Sequence, residues 1–403
     1  MNRSIVWFRQ DLRLHDNEAL LEAIRNVDEV LPVYVFDNKP HRTGLVRAQF
    51  LIESVADLRR SLRRVGSDLI IRVGDPAEIL YKLALETKSQ WVYCNRERTS
   101  DEVEVQDRLE QKLWTIGREL RFTRGKMLFH TADLPFPVTQ CPDHFVVFRK
   151  SVEHIVHVRL PFDIPDHFPP IPSGPEAGAI PELRVISDYS TDKVDHYFDG
   201  GESPALKALH HPGGHQELSF FTDGGSVLSP WIAMGCLSPK KVFYTSFEMD
   251  NGGEQIRNHL LYRDYLRLMA KKYGDRIFYA SGIYGHKISI KRNKEVFNQW
   301  KSGNTGVPII DAAMNQLNQT GWIPEVLRKI VAGYLVRVLK QDWRLGAAWF
   351  EYALIDYDPC SNWLSWQNIA GLGPDVRDDR IIHYDALGKR LDPDGVYVTT
   401  WNR

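Results

Sequence analysis

The sequence predicts an α/β N-terminal domain with a doubly wound parallel sheet, followed by an all-α C-terminal domain. In the first part, near-continuous apolar strands alternate with helices, a pattern typical of parallel sheets that are covered on both faces. After about residue 200, apolar residues recur at three- and four-residue spacing, as on helices. Seven prolines between residues 160 and 181 separate the two patterns. The predicted units are residues 1–130, a Pro-rich connector over 131–200, and residues 201–403.

The elements of the α/β domain follow in strict alternation. The predicted strands are 5–8, 30–36, 69–73 and 90–93, and the predicted helices are 18–25, 50–65 and 76–87. No G-x-G-x-x-G motif follows the first strand, so we do not expect a dinucleotide at that turn.

The connector and the second half are predicted from different signals. Proline lacks an amide donor and has a fixed φ, so residues 160–181 should be extended rather than helical or in a strand. Helices are expected where the apolar spacing is helical, at 257–272, 308–318, 324–340 and 346–355.

Composition excludes several classes of protein. The 403-residue chain has a formal net charge of −1, so no global field attracts nucleic acid. Residues 257–301 nevertheless carry eleven Lys or Arg against three acidic residues. This run is either a phosphate-tracking surface or an ordinary solvated face. The four cysteines form no C-x-x-C pair or metal-ligand spacing, and no signal peptide or membrane-spanning run is present. We expect a cytoplasmic monomer without a bound metal.

Residues 356–366, DYDPCSNWLSW, place two carboxylates, an amide and two indoles within eleven positions. A buried carboxylate needs a partner to offset its desolvation. A polar pocket with aromatic walls, built for a large planar ligand, would supply one. The alternative is a helix end that runs into an irregular loop with a half-buried Trp cluster.

Several motifs occur together with this stretch and in a fixed order. They are IVWFRQDLRLHDN at 5–17, SVLSP at 226–230, GCLSP at 235–239, YRDY at 262–265, WKSGNTG at 300–306 and DAAM at 311–314. This order resembles the photolyase/cryptochrome family, most closely its DASH branch, over residues 4 to about 401. The chain resembles a short and divergent member. The resemblance implies bound FAD, blue-light chemistry and DNA containing UV lesions as the partner.

The resemblance also implies which residues bind FAD. Asp356 and Asp358 would lie beside the isoalloxazine ring, and Arg328 would pair with Asp356 through a bidentate fork. Asn362 stands at the position that faces flavin N5. The other implied cofactor contacts are Arg263 and the phosphate-binding loop residues Ser226, Leu228 and Ser229. The family's Thr at the start of that loop is Gly225 here.

Two tryptophans match the family's photoreduction chain. Trp366 and Trp343 correspond to its first two members, whereas the third, surface-proximal position is Ile290, which an indole radical cannot oxidise. The usual three-step chain is therefore broken, or it leaves through another aromatic residue. The candidates are Trp300, Trp349 and Trp363, for each of which core packing is the alternative role.

Positions that face the lesion depart from the family most. His259 replaces a substrate-contacting Glu, Tyr262 a stacking Trp, and Glu325 an Asn near the flavin. One interpretation is a photolyase that splits cyclobutane pyrimidine dimers, with His259 or Glu325 in place of the missing Glu. A second is a blue-light photoreceptor without repair activity. A third is repair of the (6-4) photoproduct, whose paired histidines have no counterpart here. Glu97 and Arg98 differ from the family's folate contacts. The resemblance therefore does not predict whether an antenna chromophore is bound or absent.

Overall fold

The computed structural model describes residues 1–25, 27–37, 43–187, 197–210, 226–249, 252–286, 291–376 and 384–402. Gly225 and Ile290 lie outside these ranges. Of Ser226, which opens a 3-10 turn, the side chain is not described.

The N-terminal half is built on a five-stranded, fully parallel sheet with the order β3-β2-β1-β4-β5. The strands are β1 (Arg3–Phe8), β2 (Glu29–Phe36), β3 (Ile70–Val73), β4 (Trp91–Asn95) and β5 (Glu119–Thr123). The helices are α1 (Glu18–Ile24), α2 (Leu45–Arg64), α3 (Pro76–Thr87) and α4 (Ser100–Thr115). The doubly wound α/β prediction is confirmed, and α4 and β5 extend it.

Side chains alternate between the two faces of this sheet, as the period of a strand requires. Trp7 and Val33 face one side, where they belong to the core formed with α3 and α4. Phe8 and Tyr34 face the other side, in a core shared with α1 and α2. This second core continues into the C-terminal half, so one side of the sheet supports the rest of the molecule.

The connector is extended where its prolines cluster. Residues 160–181 contain no helix or strand, as predicted. Part of this segment lies along β3, where the backbone N of Ile71 donates to the carbonyl of Ala177 at 2.8 Å. Gly178 permits this approach, because a Cβ there would lie 2.3 Å from the Ile71 carbonyl oxygen. The wider predicted connector is less uniform than expected, since it includes α5 (Phe145–Val152) and α6 (Leu183–Ile186).

The C-terminal half contains helices and no strand within its described ranges. Its helices are α7 (Glu202–His210), α8 (Ser229–Met234), α9 (Pro239–Thr245), α10 (Gly253–Tyr273), α11 (Lys294–Lys301), α12 (Pro308–Thr320), α13 (Glu325–Gly333), α14 (Trp343–Ala353), α15 (Pro359–Ile369), α16 (Tyr384–Leu391) and α17 (Val396–Trp401). The prediction of a single helix over 324–340 is wrong, because α13 ends at Gly333 and a π-helical turn, Tyr334–Val338, follows it. No helix in the described ranges is long and apolar enough to cross a membrane.

Buried polar contacts from the loop after β1 join the two halves. Arg13 is 1% exposed, and its Nη1 donates to the carbonyl of Gly235 at 2.9 Å. Lys240 pairs with Asp16 at 2.6 Å. These contacts are formed by fully desolvated groups, so they hold the loop of the sheet domain against the start of the helical domain.

Candidate functional site

A cavity of about 810 Å³ opens between α10, α13, α14 and α15, within the size range of small-molecule sites. Most of the residues that the sequence singles out line it: Ser229, His259, Tyr262, Arg263, Glu325, Arg328, Asp356, Asp358, Asn362 and Trp366. Leu228 and Trp343 are buried in the core and are not among the lining residues. The structure therefore brings ten of the thirteen candidate residues to one space.

We call the most buried part of the cavity lining, around Asp356 and Asp358, the floor. Both carboxylate oxygens of Asp356 accept hydrogen bonds. Arg328 donates from Nη1 to Oδ1 at 3.0 Å and from Nη2 to Oδ2 at 2.8 Å. Its Nε donates to the carbonyl of Ile323 at 2.8 Å, so the guanidinium is fixed on three sides. The hydroxyl of Ser229 also donates to Asp356 Oδ2, at 2.5 Å. The predicted bidentate pair is confirmed, with Asp356 the more buried partner.

A second carboxylate, Asp358, begins α15. It caps the helix by accepting from the backbone N of Ser361 at 2.8 Å, with Pro359 at the first helical position. Its partner is Arg267, whose Nη1 lies 2.5 Å from Oδ2. Burial alone would raise the pKa of Asp358, but the charges of Arg267 and Arg263 outweigh this effect and lower it to about 2. Asp358 is therefore ionised at neutral pH.

Arg267 is the residue that sequence reasoning missed. The basic run 257–301 was interpreted as a candidate surface, yet the Arg267 side chain is only 3% exposed. That interpretation is wrong for Arg267, and Arg263 is largely enclosed as well. The signal was present in the spacing, because positions 263 and 267 lie one turn apart on the same face of α10. Several basic residues of the run do remain exposed, namely Lys271, Arg276, Lys291, Arg292 and Lys294.

The chemistry of the lining suits a large anionic ligand with a planar ring. Arg263 faces the cavity, and its pKa is lowered by burial and by the neighbouring Arg267. A phosphate group beside Arg263 would offset that unfavourable environment. Asn362 is held by donating from Nδ2 to the carbonyl of Ala347 at 2.9 Å. These side chains fit a flavin dinucleotide, with cations for its phosphates and polar groups for its ring.

Trp366 forms an aromatic wall of the cavity. It packs edge-on against Phe350 at a ring-centroid distance of 5.1 Å and against Trp300 at 6.1 Å. Gly346 of α14 makes room for it, since a Cβ at that position would lie 2.1 Å from the indole. The position of this indole therefore depends on a glycine inside a neighbouring helix.

Trp343 does not line the cavity, but it contacts a second tryptophan, Trp363. Its ring centroid is 5.8 Å from that of Trp363, in an edge-on arrangement. Trp363 is half-buried, and its Nε1 donates to Glu351 at 3.2 Å and to the Tyr357 hydroxyl at 3.3 Å.

The other two candidate exits are arranged differently. Trp300 is fully buried and donates to the carbonyl of Val331. Trp349 stacks on Tyr352 at a centroid distance of 5.2 Å, with the Lys301 ammonium 3.9 Å from its ring centroid. Of the three candidates, Trp363 is the one in ring contact with Trp343.

The mouth of the cavity is lined by partly exposed charges. His259 Nε2 lies 3.2 Å from Glu325 Oε2, and Lys329 pairs with the other carboxylate oxygen. Burial opposes ionisation of Glu325, but its bond to His259 and the charge of Lys329 outweigh it and lower the pKa. Tyr262 is positioned by Asn368, which donates to its hydroxyl at 3.2 Å.

Further cavity-lining residues were not among the predicted site residues, and they include the polar or charged side chains of Lys329, Arg337, Asn368 and Asp375. The described residues contain no group of three or more His, Cys, Asp or Glu side chains that could hold a metal ion.

Comparisons with known proteins agree with this geometry. Residues 4–172 match the DNA photolyase family, and residues 256–402 match the FAD binding domain of DNA photolyase. The chain is 37% identical to Cryptochrome DASH of Xenopus laevis over 98% of its own length and 82% of the relative's.

Solved structures of a cryptochrome and of a photolyase are also similar to this chain. A cryptochrome structure from Synechocystis sp. superposes with a TM-score of 0.91 at 33% identity, covering 100% of this chain and 88% of that one. A bacterial class III photolyase from Agrobacterium tumefaciens superposes with a TM-score of 0.87 at 29% identity, covering 100% and 86%. The chain belongs to the photolyase/cryptochrome family and has its FAD-binding domain.

Proposed function

We propose that this protein is an FAD-dependent, light-driven DNA repair enzyme, a deoxyribodipyrimidine photolyase that splits cyclobutane pyrimidine dimers. The observation that carries this proposal is the continuity of one cavity. Its floor holds the flavin-type residues Asp356, Asp358 and Asn362, and its mouth presents an aromatic ring and an imidazole, Tyr262 and His259. A substrate entering the mouth would thus meet the cofactor without crossing a protein wall. A photolyase among the structural neighbours supports the proposal.

The proposed cofactor site uses the floor. Bound FAD supplies light-driven transfer of one electron to the dimer, which leads to ring splitting and return of the electron. Arg263 would neutralise the phosphates, with Ser226, Leu228 and Ser229 forming the loop beside them. Asn362 would face the flavin ring, and the carboxyl groups of Asp356 and Asp358 would accept its hydrogen bonds.

The proposed substrate site uses the mouth. Photolyases act on a dinucleotide flipped out of the duplex, at a cost of a few kcal/mol. Tyr262 offers a π-face for stacking, and His259 offers a donor for a pyrimidine carbonyl. Because the pKa of Glu325 is lowered, that side chain stays ionised and cannot donate a proton. We therefore assign the donor role to His259 and an orienting role to Glu325.

Cations around the mouth are suited to the DNA backbone. Lys329 and Arg337 line the cavity, and Lys329 is 58% exposed. Lesion binding should weaken as salt rises, because phosphate contacts release counterions.

Photoreduction is proposed to run through tryptophan. Trp366, on the cavity wall, would be the first donor and Trp343 the second. The ring contact between Trp343 and Trp363 favours Trp363 as the next residue in place of the family's distal position.

A blue-light photoreceptor is the second candidate. It is favoured by the loss of the usual Glu at position 259 and by relatives that are named cryptochromes. Repair of the (6-4) photoproduct has weaker support, because Pro324 and Glu325 stand where its paired histidines would be expected.

The test is a repair assay with photoreduced, FAD-loaded protein and an oligonucleotide carrying one cyclobutane dimer, in blue light and in the dark. Single-stranded and duplex substrates are compared, each at two salt concentrations. We expect light-dependent restoration of the dimer. His259→Ala should lower the repair yield strongly while FAD stays bound, and Glu325→Gln should lower it less.

His210→Ala is the matched control, because this exposed histidine does not line the cavity. If the reduced wild-type protein restores no dimer under light, repair is rejected and the photoreceptor function is preferred. If His259→Ala repairs as well as His210→Ala, repair stands but the donor assignment is wrong.

A further inference from the structure

Four buried charges of alternating sign connect the cavity floor to the carboxyl edge of the sheet. Arg267 Nη1 lies 2.5 Å from Asp358, and its Nη2 lies 3.8 Å from Glu97 Oε2. The other oxygen of Glu97 lies 2.5 Å from Lys126 Nζ. We call these four residues the charge chain. The exposed fractions of their side chains range from 2% to 6%, so solvent does not screen them.

The charge chain ends in a special place of the fold. Glu97 follows β4, and Lys126 follows β5 and donates to Gln10, just beyond β1, at 3.2 Å. In the order β3-β2-β1-β4-β5, the strand order reverses between β1 and β4. The crevice at such a switch point is where open α/β sheets bind their ligands. In this chain, the crevice contains the Glu97–Lys126 pair.

We infer that Glu97 and Lys126 are positioning residues for Asp358, and that they tie FAD affinity in the helical domain to the switch point of the sheet domain. Arg267 is shared between two carboxylates, Asp358 and Glu97. Lys126 neutralises Glu97 and so leaves Arg267 directed at Asp358. This inference rests on the proposed FAD site, and it assigns Glu97 and Lys126 no contact with the cofactor.

The balance of charges makes a specific prediction about single and double substitutions. Without Lys126, the buried Glu97 keeps only the charges of Arg9 and Arg267 to compensate it, so it competes more strongly for the Arg267 guanidinium and weakens the hold on Asp358. Without Glu97, Asp358 is the one carboxylate that pairs with Arg267 among the four, and the cost falls on Lys126, which keeps its bond to Gln10 and the nearby charge of Glu102. When both are replaced by neutral groups, the competition disappears.

The experiment measures the Kd for FAD by titrating apoprotein, and in parallel the unfolding of the apoprotein in urea. We expect Lys126→Met to weaken FAD binding by about tenfold, as for disturbed members of one ion network. Glu97→Gln should destabilise the apoprotein but leave the Kd within about twofold of wild type. The double variant Lys126→Met/Glu97→Gln should recover wild-type affinity. Lys112→Met, which breaks an exposed pair with Glu78, is the control and should change neither quantity.

Recovery in the double variant is the decisive result, because a general packing defect would add rather than cancel. Equal weakening in the single and double variants would overturn the inference, as would wild-type affinity in Lys126→Met. If Lys126→Met does not fold, Lys126→Gln serves instead, since it keeps a hydrogen-bond donor but no charge. The wild-type titration comes first: a protein that takes up no FAD refutes the cofactor site itself, whereas a failed recovery refutes only the charge chain.

Discussion

The ion pairs on the floor of the cavity and those at its mouth differ in how much solvent reaches them. On the floor, the Asp356 side chain is 3% exposed and bonded to Arg328, while Asp358 is bonded to Arg267. At the mouth, the side chains of His259, Glu325 and Lys329 are 36–58% exposed. Breaking a buried pair costs several kcal/mol, whereas an exposed pair contributes about 1 kcal/mol or less.

The difference bears on the positions at which the resemblance predicts departures from the family. A single substitution of Asp356 or Asp358 is costly, because it would leave a largely desolvated guanidinium without its partner. Mouth residues can change at little cost in folding, and the departures that the resemblance predicts, His259, Tyr262 and Glu325, all line the cavity there. Identity at the mouth then affects what is bound rather than whether the protein folds.

The largest effect is expected from Asp356→Ala on the floor. The substitution leaves Arg328 without its bidentate partner and should lower the free energy of unfolding by about 3 kcal/mol. This is the lower end of the range for buried pairs, because the Arg328 side chain is 24% exposed to solvent. Purified protein should also lose most of its FAD. Urea unfolding and the flavin absorbance of the purified protein measure both effects.

Asp133→Ala provides the comparison, since it breaks an exposed pair with Arg159 and should cost less than about 1 kcal/mol. Equal costs for the two substitutions would contradict the contrast between buried and exposed pairs.

Gly346→Ala tests the aromatic wall above the floor. The added methyl would overlap Trp366, and overpacking of this kind costs about 1–3 kcal/mol. Photoreduction should slow as well, because the indole must move. Thermal unfolding and the rate of flavin reduction under blue light check the two effects. Ala348→Ser on the exposed side of the same helix should leave both near wild type, and a normal photoreduction rate in Gly346→Ala would show that Trp366 tolerates displacement.

Trp363→Phe tests the route that leads away from the floor. It removes the indole in contact with Trp343, so photoreduction should slow while FAD content and stability change little. Trp366→Phe should slow it more, because that residue lines the cavity proposed to hold the cofactor. Trp349→Phe should photoreduce normally. A normal photoreduction rate in Trp363→Phe would show that the electron-transfer chain does not pass through Trp363.

The smallest effect is expected at the mouth, from Glu325→Gln. The pKa of Glu325 is lowered in the folded protein, so its ion pairs stabilise above the unfolded value of about 4.3 and this contribution is lost as pH falls below it. Because the side chain is 41% exposed, the contribution should stay below about 1 kcal/mol. Urea unfolding of both proteins at about pH 6 and about pH 4 should show the difference narrowing in acid. A difference independent of pH would mean that packing, not charge, is involved.

The sequence predicted the sheet well because its strands are short apolar runs between clear helices, and Asp356–Arg328 followed from the family resemblance. Arg267 was missed because helix α10 carries basic residues on several faces, so the one-turn spacing of Arg263 and Arg267 does not by itself reveal that this face points inward. The π-helical turn after Gly333 was missed because apolar spacing looks alike in the two helix types over five residues. The contacts of Glu97 with Lys126 and Arg267 join positions far apart in the chain, which local patterns do not report.

The contact between the connector and β3 has a consequence for solubility. β3 is an edge strand, and an edge with free amides and carbonyls is a template on which strands of other molecules can pair. The bond from Ile71 to Ala177 occupies part of that edge, and the close approach of Gly178 to the Ile71 carbonyl obstructs access to it. The proline-rich segment thus acts as a cover that discourages intermolecular sheet growth, and its prolines cannot themselves extend the ladder.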